Sequence, residues 1–151
     1  MATRAYILPL DAISVTNDAD QDIFGLGTSA TKQLILHEIR LSTSNTTDER
    51  LRMQLIRRTG VGSGGSAVTA SPADQGNAIA ASTTCRVLDT APGTGSTILH
   101  CFQWSQQGEF LYLPAPEDRL VVSVSAFLVL HLQTAVGGTR TWSGSVTFEE
   151  I

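Results

Sequence analysis

ERLRMQLIRRTGVGSGGSAVTASP, residues 49–72, is the stretch on which the fold turns. Its first part alternates. Leu51, Met53 and Leu55 are apolar, and Arg50, Arg52 and Gln54 between them are polar. Successive side chains of a strand point to opposite faces, so this pattern predicts a β-strand with one buried and one wetted face. The second part separates three architectures. A phosphate-binding P-loop needs GxxxxGK[ST] between a strand and a helix, so that backbone N–H groups and a lysine hold the phosphates. Here the lysine is missing, and Pro72 bars a long helix. Gly60, Gly62 and Gly65 reproduce the spacing GxGxxG, but no helical pattern follows and no βαβ unit surrounds them. A linker between domains is disfavoured because strand patterns of similar composition continue on both sides. The stretch therefore reads as a strand running into a long glycine- and serine-rich loop. Glycine reaches positive φ freely, and such a loop is expected to be mobile, either a contact element that orders when a neighbour docks or simply a solvated loop.

Working outward, period-two patterns dominate. In TWSGSVTFEE (141–150), Trp142, Gly144, Val146 and Phe148 face one way and Thr141, Ser143, Ser145, Thr147 and Glu149 the other. KQLILHEIRLS (32–42) is more apolar. Strict alternation puts Ile35, His37, Ile39 and Leu41 on one face and Leu34, Leu36, Glu38 and Arg40 on the other, a strand partly covered on both sides. Further strands are predicted over 4–10, 12–16, 83–88, 98–105, 109–113, 120–125 and 127–132, with turn-forming clusters between them. No segment keeps a 3.6-residue period. SPADQGNAIAAS (71–82) can hold a single helical turn, with Asp74 as its cap and Ala78, Ile79 and Ala80 tolerating helix. The expected fold is all-β, an antiparallel β-sandwich of jelly-roll type. It is expected to be one domain over residues 1–151 with a short N-terminal arm.

Composition agrees. Of 151 residues only 16% are charged, against about 25% in ordinary globular domains. Lys32 is the single lysine, which suits strands better than helix surfaces. A net charge of -4 argues against a nucleic-acid partner. Arg50, Arg52, Arg57 and Arg58 do cluster, but Asp48 and Glu49 sit beside them and no aromatic residue is interleaved for base stacking. The apolar run at the N-terminus stops at Pro9, too short for a signal-peptide core. The longest apolar stretch, LVVSVSAFLVLHL (120–132), falls short of the ~20 residues of a membrane helix, so no membrane partner is expected. With so few lysines to guard sheet edges, neighbouring chains are expected to cover them, in a homo-oligomer or a lattice.

Few residues suggest chemistry. His37, His100 and His131 each stand among apolar strand residues, without the H-x-H spacing of cupin-type metal sites. Asp18, Asp20 and Asp22 alternate in NDADQD, yet the glycine and glutamate of an EF-hand are replaced by Ile23 and Ser29. A turn explains the aspartates, and a calcium site of another kind stays open. Cys85 and Cys101 read as free thiols, with a disulfide between them unsupported. Glu117 with Asp118, and Glu149 with Glu150, are neighbours that face opposite ways in a strand and read as solvated. No GxSxG occurs, so no enzyme and no cofactor is expected. A sugar-binding module would use Trp104 and Tyr112 as platforms, although core packing is the commoner role of such residues.

LHEIRLSTSNTTDERLRMQLIRR (36–58), GSGGSAVTASP (62–72), FLYLPAPEDRLVVSVSAFLVLHL (110–132) and SGSVTFEE (143–150) together resemble a family of small structural proteins encoded among the head genes of tailed bacteriophages. The resemblance runs from about residue 22 to residue 150 and is most specific in YLPAPEDRLVVS (112–123) and the ending. It implies a jelly-roll or similar sandwich acting as a head decoration, or cement, protein. Such a protein is made in the host cytoplasm and bound on the outer capsid surface of the virion, where it stabilises contacts between major capsid protein subunits. Its partners would be the major capsid protein and copies of itself, as a dimer or trimer. The family carries no diagnostic site residues. The contact elements expected from the residues themselves are the N-terminal ATRAY segment, through Thr3, Arg4 and Tyr6, and the 60–72 loop, through Gly62, Gly64, Gly65 and Val68, because ends and loops can order on docking. The alternative is a carbohydrate- or receptor-binding sandwich on a virion spike or fibre.

Overall fold

In the computed structural model, which describes residues 4–16, 20–77 and 79–151, the alternating patterns become twelve strands. They are β1 (Arg4–Val15), β2 (Gln21–Gly27), β3 (Leu34–Thr43), β4 (Arg50–Arg58), β5 (Ser66–Val68), β6 (Ser71–Pro72), β7 (Thr84–Asp89), β8 (Thr97–Ser105), β9 (Phe110–Tyr112), β10 (Val121–Val122), β11 (Phe127–Leu132) and β12 (Arg140–Glu150). Among the described residues, helix is confined to two 3-10 turns, Gln75–Asn77 and Pro116–Asp118. The strands form two six-stranded sheets, every pairing antiparallel. Sheet I has the order β10-β3-β12-β1-β6, with β9 also on the outer side of β3. Sheet II has the order β5-β7-β2-β11-β4-β8. The protein is an all-β sandwich.

The inner faces follow from the alternation. From β12, Trp142, Val146 and Phe148 are fully buried, and from β4 so are Leu51, Met53 and Leu55. Each such side chain contributes about 1.5–3 kcal/mol by leaving water. Tyr6 of β1 stacks on Phe148 of its neighbour at 5.7 Å, and Trp104 of sheet II meets Trp142 of sheet I edge-on at 5.0 Å. One continuous cluster of buried side chains joins both sheets.

Where the structure departs from strict alternation, a bulge is the reason. Leu34, Leu36, Ile39 and Leu41 are all fully buried, although alternation divides them between two faces. The β3–β12 register shifts between Thr147 and Phe148, which inserts one extra residue near His37. The bulge turns the strand over, so both halves of its apolar set reach the core. β1 has a similar irregularity between Leu10 and Ile13, with Ala12 at φ 49°, and so joins the predicted segments 4–10 and 12–16 into one strand. β2 was not foreseen. It is buried along most of its length between β7 and β11, and a strand covered on both faces shows no alternation. Gly27 disguises it further. A Cβ there would lie 2.5 Å from the Phe127 ring, so close packing demands glycine.

Three expectations change at this level. From Arg4 onward the N-terminal segment is no arm, because Arg4 already pairs with Glu150. The strand predicted over 120–125 shrinks to β10. The helical turn is the 3-10 turn Gln75–Asn77, where the Gly76 N–H donates to Asp74 Oδ1 at 2.9 Å; Ile79 and Ala80 are not helical, and Ala78 lies outside the described residues.

Candidate functional site

The glycine-rich loop is tied to residues 87–94. The N–H groups of Thr59 and Gly60 donate to Thr94 O at 3.0 and 3.1 Å. Ser63 and Ala91 exchange N–H···O bonds of 2.9 and 3.0 Å, and the Gly65 N–H donates to Asp89 Oδ1 at 3.0 Å. A Cβ on Gly65 would lie 2.2 Å from Val87 O, and Gly64 has φ +87°. The glycines serve close backbone approach to residues 87–94, and the loop packs on that segment. Gly62, Gly64 and Gly65 belong to this packed layer, and Val68 lies half-buried in β5 opposite Cys85. Tyr6 is fully buried in the core and offers no contact surface. Arg4 is half-buried at the start of β1, and Thr3 lies outside the described residues.

Below that loop, on the outer face of sheet II, Arg58 is anchored. Its Nη1 donates to Gly93 O at 2.9 Å and its Nη2 to Asp22 Oδ1 at 3.0 Å. His131 Nδ1 is 2.8 Å from the same carboxylate oxygen, and its Nε2 is 3.4 Å from Asp20 Oδ1. The fold thus brings Asp20 and Asp22 onto one of the histidines, a convergence that spacing could not show. The Arg58 guanidinium supplies the cation for the buried Asp22 and His131, and Asp20 joins them from the exposed surface. His37 instead bonds Glu149 at 3.0 Å on sheet I, and His100 packs against Phe102 and Tyr112. The three histidines do not converge. Among the described residues no group of three His, Cys, Asp or Glu side chains could hold a metal, and Asp18 lies outside them.

The cysteines are both free. Cys85 on β7 and Cys101 on β8 are four strand positions apart in sheet II, roughly 19 Å at ~4.8 Å per step, which rules out a disulfide. Burial pushes the Cys85 thiol up to about 11. Glu150, expected in solvent, is buried. It accepts from Lys32 Nζ at 3.0 Å, from the Thr83 N–H at 2.7 Å and from the Thr83 hydroxyl at 2.8 Å. Burial alone raises its pKa, but the bonds from Lys32 and Thr83 outweigh it and hold the carboxyl below the ordinary glutamate value. The sugar-platform reading loses its main candidate. Trp104 is 5% exposed, with its indole N–H donating to Gly108 O at 2.8 Å, and Tyr112 is wedged against His100 and Phe102.

Exposed apolar side chains occur in several places, Ile7, Val61 and Ile79 among them, and one group lies along one side of the sandwich. On the outer face of sheet I, Leu111 (49% exposed) pairs with Arg40 and Val121 (56%) pairs with Ile35; Leu113 follows at 58%. Beside this face, β8 is the last strand of sheet II and pairs only with β4. Thr97, Ile98, His100, Cys101 and Gln103 are exposed along it. Its inner face carries His100, Phe102 and Trp104, which reach Phe110 and Tyr112 of β9 across the gap. Its outer face carries Cys101, Gln103 and Ser105, beside Gln54, Arg52 and Arg50 of β4. Arg50 and Arg52 are exposed and make no ion pair among the described residues. A depression of about 270 Å3 is lined by Arg50, Gln103, Trp104 and Ser105. The sequence signal for this surface was the shortage of lysine. Which strand would be left at the edge was not legible.

No protein-family model matches the chain, and no curated protein does. Among solved structures, a chain in the structure of infectious bursal disease virus, Gx strain, aligns at 16% identity over 100% of this chain and 42% of that one, with a TM-score of 0.25. A chain in the structure of the Gt strain of the same virus aligns at 15% identity over 99% of this chain and 40% of that one, with a TM-score of 0.23. This chain spans about two fifths of the length of each. Scores at this level carry no statement about fold or function.

Proposed function

We propose that this sandwich is a virion structural protein, a decoration or cement subunit that sits on the outside of a phage head and stabilises contacts between major capsid protein subunits. The observation that supports it most is the apolar exterior. Leu111, Leu113 and Val121 stand about half in the open on one side of the sandwich, next to an unpaired strand edge. Apolar patches of this kind mark protein contact surfaces. The likeness to head proteins in 112–123 covers the same region, since that segment includes Tyr112, Leu113 and Val121.

The mechanism needs no chemical step. A subunit that binds only the assembled shell stabilises it by mass action, and many copies make modest affinity sufficient. Copies of this chain would meet one another on the shell as dimers or trimers. The contact region of this reading is centred on the β9–β10 face, because Tyr6 is in the core and that face carries Leu111, Leu113 and Val121 in the open. The glycan-binding alternative is the weaker reading, because Trp104 is buried.

Sedimentation of the purified protein with protein-free shells tests the proposal. Saturable binding to expanded shells, little binding to unexpanded ones and a higher shell melting temperature are expected. Absence of binding to either shell overturns it.

A further inference from the structure

We infer that the free edge of β8 is a peptide-binding site, which takes an extended segment of a partner chain as an added strand of sheet II, with carboxylates on one face of the segment and apolar side chains on the other.

The backbone comes first. An unpaired strand edge presents a row of N–H and C=O groups, a template for one more strand. The other outer strands of both sheets are β5, β6, β9 and β10, of two or three residues each, and β6 ends in Pro72. β6 covers only Tyr6 and Ile7 of β1, and the rest of that edge is interrupted by Pro9 and by the irregularity at Ala12. β8 has nine residues, no proline and no charged side chain. Its register with β4 shifts only between Leu55 and Ile56, so His100 to Ser105 forms an unbroken edge.

The faces then specify the ligand. Inward side chains of an added strand would lie beside His100 and Phe102 at the rim of the gap between the sheets, which favours apolar residues. Outward side chains would lie beside Cys101 and Gln103, one strand further from Arg50 and Arg52. Those two arginines have no carboxylate of their own. The added strand is roughly 10 Å from β4, a span that a glutamate and an arginine can close over the uncharged Gln103. The depression against Arg50, Gln103 and Ser105 leaves room for such a carboxylate. Charge also decides against a second copy of this chain at the same edge. Antiparallel self-pairing of β8 would gather two sets of uncompensated arginines on one face. Such a site is separable from shell attachment, because a chain can hold the peptide without binding a shell, and the reverse.

The test is a titration of the full chain with a synthetic peptide as long as β8, alternating valine and glutamate, followed by fluorescence anisotropy and amide hydrogen exchange. Controls are the valine–lysine peptide and the glutamate peptide with a central proline. Saturable binding of the first peptide alone, new exchange protection over 100–105 and weakening by added salt are expected. The double variant R50E/R52E should bind about tenfold more weakly or worse, with its melting temperature unchanged. Failure to bind, equal binding of the lysine peptide, protection elsewhere, or an affinity indifferent to R50E/R52E overturns the inference. So does a β8 edge already protected in a dimer without peptide.

Discussion

The two edges of sheet II differ: one is closed and the other stands open. At the β5 edge the strand is three residues long. The chain before it is tied to residues 89–94 by the bonds of Thr59, Gly60, Ser63 and Gly65, and the chain after it crosses to sheet I as β6. At the β8 edge nine residues stand open, with no lysine, proline or acid to repel a visitor. A chain with a single lysine cannot protect every edge by charge. It protects one by shortness and by glycines that let a loop lie flat, and leaves the other open.

That contrast can be broken from the covered side first. Asp22→Ala leaves the buried Arg58 without its carboxylate, and should cost about 3–5 kcal/mol in urea unfolding, the largest effect expected. Gly65→Val places a side chain against Val87 O and should cost about 2–3 kcal/mol by the same measurement, since the loop must lift. If either variant is as stable as the parent, the covered edge is not held as described.

Glu150 sharpens the comparison through pH. Its bonds to Thr83 tie β12 of sheet I to the start of β7 near the covered edge. Because its folded pKa lies below the ordinary value, the unfolded chain binds the proton more tightly. The stabilisation is therefore complete above the ordinary glutamate range and is lost as pH falls through the folded value. Glu150→Gln should lose about 1.5–3 kcal/mol at neutral pH, and the gap to the parent should close as the solution is acidified. A gap that widens on acidification would contradict this assignment.

The smallest change in stability belongs to the open edge. Cys101→Lys puts a charge on an exposed position and should alter unfolding free energy by less than about 0.5 kcal/mol. The same variant should leave self-association on warming unchanged, measured by light scattering, because the arginines beside this edge already turn a second copy away. A slower rate would mean that copies of this chain do meet at the β8 edge.

The pattern of residues 50–55 and 141–150 needed nothing but the chain. Polar and apolar side chains alternate there because one face is wet and the other dry, and the all-β class follows. Residues 21–27 were illegible for the opposite reason, since a central strand with both faces covered has no alternation to read. The apolar set of β3 was divided between two faces because a one-residue bulge against β12 leaves no mark in the sequence of β3. The tie of Asp20 and Asp22 to His131 joins residues more than a hundred positions apart, which only the pairing of β2 with β11 could bring about. The roles of the glycines also divided. Their presence announced a loop, but whether that loop is loose or packed depends on residues 87–94, a segment remote in sequence. By itself, then, the sequence determined the class of fold, the shortage of edge charge and most strands, because these are properties of local pattern. Only the tertiary structure decided which edge lies open and which arginines stand beside it, because strand order is set by long-range pairing and burial.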